Sequence, residues 1–188
     1  MKRGPSKVSA KDAFRTAEAW LEASEVLHTD GRAGNDRLLV FVFATMSAFQ
    51  LEMYLKALLL LEDGLHTEGH NVLKLFQKLS VKTQAELTKE HAAYIARFPE
   101  VATRLKEKNI SPDLLSLLRH GQDAFVVFRY AHERKKDQKS TWALTSLVMA
   151  IRDRIRKAKP EWHDILRDTE GHGPLYPARQ VGNARADD

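Results

Sequence analysis

Apolar residues recur along this chain at intervals of three, four and seven, and no run of strict alternation suggests a sheet. The pattern predicts helices from end to end. Ser9, with Asp12 three residues later, reads as a capping box opening a first helix to about His28. Its inner stripe is Ala13, Phe14, Ala17, Trp20, Leu21 and Leu27. The stretch Thr29 to Asn35, with Gly31 and Gly34, is a loop. A long second helix follows from about Asp36 to Asp63, closed by Gly64 just past its end. It is apolar on nearly every side through Phe43, which predicts the central helix of a bundle, packed all round by neighbours.

Asn71 is placed to cap a short helix carrying Val72, Leu73, Leu75, Phe76 and Leu79. Thr83 and Glu86 form another capping box, for a helix with Leu87, Tyr94, Ile95 and Phe98 that Pro99 ends; Glu100 to Asn109 is weakly helical. Ser111-Pro112, an N-cap serine with proline in the first helical position, predicts the start of another long helix. Its stripe is Leu114, Leu118, Gly121, Phe125 and Phe128. A polar break at Asp137 to Ser140 separates it from a last long helix with Leu144, Leu147, Val148, Ile151 and Ile155 inward. Pro160 opens a short piece with Trp162, Ile165 and Leu166. The expectation is an all-α, up-and-down bundle of four long helices plus one or two short ones over residues 9–169. Residues 1–8 and 170–188, rich in charge, glycine and proline, read as flexible ends.

Composition narrows the classes. A chain of 188 residues is long enough for one domain with a proper core. It has no cysteine, hence no disulfide, no thiolate metal site and no thiol nucleophile, which suits the cytoplasm. The basic start MKRGPSKVSAKD lacks the apolar stretch of a secretory signal. Leu38 to Phe49 is almost wholly apolar, but Gln50, Glu52 and Lys56 interrupt it before the roughly 20 residues that a membrane span needs. The net charge of +5 fits a partner with phosphates and equally a plain soluble protein. P-loop, dinucleotide-binding, serine-hydrolase and H-E-x-x-H motifs are all missing, so no cofactor is expected.

Three groups of residues carry candidate chemistry. Arg129, His132 and Glu133 stand at i, i+3 and i+4 and share a helix face. An Arg fork there can hold a phosphate and an imidazole can carry a proton; the competing reading is a charged last turn that complements the helix dipole. Glu52 and Lys56 are an i, i+4 pair on the most apolar helix, where each charge needs a partner. They neutralise each other, or Glu52 pairs with Arg129 to fix helix register, or Lys56 lines a phosphate pocket with Arg129. His66 and His70 have the spacing of metal ligands only if helical, and Gly64 and Gly69 argue for a loop. No metal is expected there; a loop histidine that caps the next helix is the better reading. The basic clusters Arg134, Lys135, Lys136, Lys139 and Arg152, Arg154, Arg156, Lys157, Lys159 read as solvated helix surface.

Three segments, in order, resemble one family: Glu52-Met-Tyr-Leu-Lys-Ala-Leu-Leu-Leu60, Gly69-His-Asn-Val-Leu-Lys-Leu-Phe76 and Phe128-Arg-Tyr-Ala-His-Glu133. They are similar to motifs of the HEPN (higher eukaryotes and prokaryotes nucleotide-binding) family, over about Ser9 to Lys157. The resemblance implies a homodimeric helical bundle that binds nucleotide or RNA. Arg129 would be its phosphate anchor, with Tyr130, His132, Glu133, Lys56 and Glu52 around it. Family members with Arg-x4–6-His are metal-independent ribonucleases of toxin–antitoxin or phage-defence systems, some with a cognate antitoxin or nucleotidyltransferase partner. Here His132 follows Arg129 after only two residues. Arg156…His163 and Arg167…His172 satisfy the spacing, but 15 arginines and 8 histidines give about two such matches by chance. Three readings stay open: a nucleotide or RNA binder, a ribonuclease using Arg129 and His132 on a ribose 2′-hydroxyl, and a non-catalytic helical adaptor or dimerisation module.

Overall fold

The structure, a computed structural model, describes residues 9–29, 37–64, 67–129 and 144–164, and the side chains of all of these but 28–29, 37–41 and 128–129. Among the described residues every regular element is helical. They are α1 (Ala10–Thr29), α2 (Arg37–Asp63), α3 (Val72–Lys78), α4 (Val81–Arg97), α5 (Pro99–Glu107), α6 (Leu114–His120), α7 (Ala124–Arg129) and α8 (Thr145–Ala158). A 3₁₀ turn, Pro160–Trp162, follows α8. No helix among the described residues is long and apolar enough to cross a membrane.

Local chemistry sets most of the ends. The Ser9 hydroxyl caps α1 as expected, accepting the Asp12 N–H at 3.0 Å, and donates to the Asp12 carboxylate at 2.6 Å. α2, 27 residues and about 40 Å long, ends where Gly64 turns to φ +67° and donates its N–H to Leu60 O. Helix α2 packs against α1, α3, α7 and α8, as its all-round apolarity predicts, and α4 packs against α8. The core collects Phe14 of α1, Leu51, Tyr54, Leu55 and Leu59 of α2, Phe76, Leu87, Leu118, and Leu147, Ile151 and Ile155 of α8. Trp162 leans on Phe14 from the 3₁₀ turn, ring centroids 5.8 Å apart. Helix α7 is held differently: Ala124 sits against Ala44 and Ala48 of α2, small residues that permit close approach.

The long helix expected from Ser111 does not exist as one piece. Asp113, not Ser111, is the cap: its carboxylate accepts the Ser116 N–H at 2.9 Å. Hydrogen bonds from Ser111 and Ser116 hold the Asp113 carboxyl down at about 2. At Gly121 the helix stops, and α7 starts three residues later. The break has a tertiary cause. The freed Gln122 carbonyl accepts the Val72 N–H at 3.0 Å, one of the orphan donors at the start of α3. Two further corrections are local. Ser80, rather than Thr83, caps α4 through the Thr83 N–H. Pro99, which ends α4, also opens α5 across the weakly helical stretch. In α1 the stripe shifts: Trp20 is 37% exposed, whereas Glu18 and Ser24 are buried. The expected flexible ends, the 30–35 part of the first loop, Asp36 at the expected start of the second helix and the break at Asp137 to Ser140 lie outside the described residues.

Candidate functional site

Glu52, in the middle of α2, is completely buried. An unpaired carboxylate there would cost several kcal/mol, about 3–5 by the measure of broken buried pairs. Lys56, one turn on and on the same face, donates from Nζ to Oε1 at 2.7 Å. His70 supplies the second partner, its Nδ1 lying 2.9 Å from Oε2 and 3.0 Å from Oε1. A carboxylate salt-bridged to an ammonium has no proton to give, so Nδ1 carries the hydrogen and donates it. In the neutral ring Nε2 then keeps its lone pair. The histidine side chain is 50% exposed and that of Lys56 18%, so the buried acid opens toward solvent through its partners.

Backbone conformation puts His70 there. Gly69 adopts φ +94°, a region that side chains disfavour, and turns the chain back onto α2. Asn71 then caps α3 by accepting the Lys74 N–H at 2.9 Å, while its amide donates to Asp123 at 3.1 Å and Gln122 at 3.3 Å. So the cap is Asn71 and not His70, and the start of α3 is clamped to the α6–α7 turn. Phe125, in the first turn of α7, lies against the His70 ring at 5.1 Å and against Phe49 at 5.0 Å. Phe49 in turn meets Trp20 edge-on at 5.3 Å. Four rings thus form a row from α1 across α2 and α7 to the buried acid.

The first two resembling segments meet at Glu52, Lys56 and His70, and the third begins at Phe128, in the last turn of α7. Arg129 ends α7 four residues after Phe125, on the same helix face and about 6 Å farther along the axis. Its side chain lies outside the described residues. So do Tyr130, His132 and Glu133 entirely, together with His66 and the cluster from Arg134 to Lys139. Of the alternatives for Glu52, pairing with Lys56 is present, and His70 is a partner that spacing did not suggest.

A second buried acid lies across the bundle. Glu18 accepts hydrogen bonds from the Tyr54 hydroxyl at 2.5 Å, from Arg152 at 2.7 and 2.9 Å, and from Arg156 at 2.8 Å. Burial pushes its carboxyl up, but the bonds from Arg152 and Tyr54 and the charges of Arg152 and Arg156 outweigh this and hold it below the usual range. Burial, and then the bond to Glu18, raise the Tyr54 hydroxyl far above the ordinary phenol. The reading of α8 as solvated basic surface is therefore corrected for three residues. Arg152 and Arg156, one turn apart, turn onto Glu18, and Arg154 reaches Glu86 and Thr83. One signal for Glu18 was legible: an acid four residues after Phe14 falls on the apolar stripe. Nothing local marked His91, which is 2% exposed and bonded to Pro112 O and Ser146 Oγ, both at 2.7 Å.

No family model matches this chain, nor does any curated protein or solved structure at a significant level.

Proposed function

We propose that the chain is an HEPN-like helical protein that binds a nucleotide or RNA, its phosphate held by Lys56 and Arg129 and a base lying against the adjoining rings. The observation that carries this reading is the meeting of two segments, far apart in sequence, around one buried carboxylate that opens to the surface, with Phe125 of α7 packed on its histidine. Lys56 commits one N–H to Glu52 and keeps two for phosphate oxygens. Arg129 adds a planar fork suited to phosphate. Trp20 and Phe125 offer ring surface, and a stacked base adds about 1–3 kcal/mol in single-strand binding proteins. In this reading the protein works in the cytoplasm as a homodimer. The full pairing of Glu52 favours one rival, an adaptor in which these contacts only fasten α3 and α7 to α2.

Thermal unfolding with AMP, GTP and a short oligouridylate separates the two. A ligand at a hundred times its Kd adds about 2.7 kcal/mol to the folded state. Binding is expected for at least one probe, with Lys56→Ala and Arg129→Ala each weakening it tenfold or more. No stabilisation by any probe, or full affinity in both variants, leaves the adaptor.

A further inference from the structure

The bundle holds two described histidines fixed through their ring nitrogens, and they differ in one respect. His91 is closed. Both of its nitrogens are used inside the core, one on the Pro112 carbonyl and the other on the Ser146 hydroxyl. His70 has its described bonds on Nδ1 alone, both to Glu52, and its side chain is half exposed. Nδ1 faces a wholly buried carboxylate, so the exposure belongs to the other edge of the ring, where Nε2 lies. Lys56 bonds the same Glu52 Oε1, which sets its ammonium beside the imidazole. A buried carboxylate behind an imidazole fixes the hydrogen on Nδ1 and stabilises any positive charge the ring acquires. The neutral ring then offers Nε2 as a nucleophile.

We propose that His70 is a phosphorylation site, its Nε2 accepting a phosphoryl group from an acyl phosphate. This modification goes beyond the nucleotide reading: it shares Lys56 but needs neither a base on the rings nor RNA. The chemistry selects the donor. An acyl phosphate parts from its phosphoryl group as a carboxylate, which leaves without a proton, and Glu52 in its ion pair has none to give. The Nε2 lone pair attacks phosphorus, the bond from phosphorus to the bridging oxygen breaks, and its electron pair departs with the carboxylate. The ring then carries phosphorus on Nε2 and hydrogen on Nδ1, with one positive charge facing Glu52. Nothing is oxidised or reduced, and no proton moves. Lys56 offsets charge on the phosphoryl oxygens with the two N–H groups that Glu52 leaves to it. Glu52 is a positioning residue, acting through the tautomer it sets. His91, buried with both nitrogens bonded, takes no phosphoryl group.

The test treats the full chain with acetyl phosphate and locates the label by mass spectrometry at alkaline pH, where a phosphorus–nitrogen bond to histidine survives. Mild acid should remove the label. Wild type is expected to gain one phosphoryl group, on His70, about tenfold or more faster than on His120, which is exposed at the end of α6. His70→Gln, which keeps an N–H for Glu52, should take no label at wild-type melting temperature. Lys56→Ala should label about tenfold more slowly, the size of one lost hydrogen bond to a charged group. Glu52→Gln should also label more slowly, and its ring-nitrogen shifts in NMR should show the His70 hydrogen shared between Nδ1 and Nε2. Loss of packing alone does not produce that signature. Equal labelling of His70 and His120 overturns the proposal, since any exposed imidazole would then suffice. So does label confined to other residues, or none. A chain that nucleotides stabilise and acetyl phosphate leaves unlabelled overturns this proposal alone. Label on His70 in a chain that no nucleotide stabilises removes the nucleotide reading and leaves the phosphoryl acceptor.

Discussion

Glu18 and Glu52 are two acids driven into one bundle, and the fold treats them in opposite ways. Glu18 sits on α1 and draws its donors from α2 and α8, so its four hydrogen bonds tie three helices together. Those donors converge inward on one carboxylate. Glu52 takes one partner from its own helix and one from the start of α3, and that second partner is half exposed. The first arrangement is a fastening and the second has an outlet. The burial of a carboxylate alone does not separate structure from chemistry; what separates them is where the remaining hydrogens and lone pairs of its partners point.

Removing each acid is the most direct way to break the comparison. Glu18→Ala leaves two guanidinium groups and a phenol facing an empty acceptor position, and removing one side of a buried pair costs about 3–5 kcal/mol. Because the arginines are about one fifth exposed, the lower end, about 3 kcal/mol, is expected as a shift in urea midpoint at constant slope. Glu52→Gln should cost about 1–2 kcal/mol, since Lys56 and His70 can turn to water. Equal costs would mean that the outlet is not an outlet.

Acid sharpens the same contrast. The Glu18 carboxyl titrates lower in the fold than in the open chain, so its ionised form favours folding. That contribution is complete above the ordinary glutamate range, about 4.3, and is lost as pH falls from there through the depressed folded value. The stability gap between wild type and Glu18→Gln should therefore narrow on acidification toward pH 3. A gap that stays constant between neutral pH and pH 3 would show that shape rather than charge fastens α1 to α8.

What sequence reveals follows the range of the interaction. The cap at Ser9, the cap at Asn71, the end of α2 at Gly64 and the inward face of α8 all rest on neighbours within one turn, and all were legible. The split between α6 and α7 was not, because the Gln122 carbonyl is claimed by Val72, 50 residues away, a donor that no local pattern names. Arg152 and Arg156 visibly share a face, yet their acceptor lies 134 and 138 residues away in sequence. Glu52 and Lys56 could be read as a pair from spacing alone. His70 could not be joined to them, because its reach to α2 depends on a turn whose handedness a single glycine sets.

That turn supports the smallest of these predictions. An alanine Cβ at position 69 would meet nothing within 4 Å, so Gly69→Ala creates no clash. Its whole cost is the backbone: φ +94° suits glycine, and forcing a side chain there costs on the order of 1 kcal/mol. The chain can shed that strain by rotating the peptide that aims His70, at the loss of the bonds to Glu52. Gly69→Ala is thus expected to lower stability by about 1 kcal/mol or less while abolishing the hydrogen-bonded Nδ1–H resonance of His70 in the NMR spectrum. The acid dependence that Glu18 confers should stay as it was, because that carboxylate is held by α2 and α8 and takes nothing from this loop. An intact resonance in the alanine variant would show that packing against Phe125, rather than the turn, holds the imidazole on Glu52.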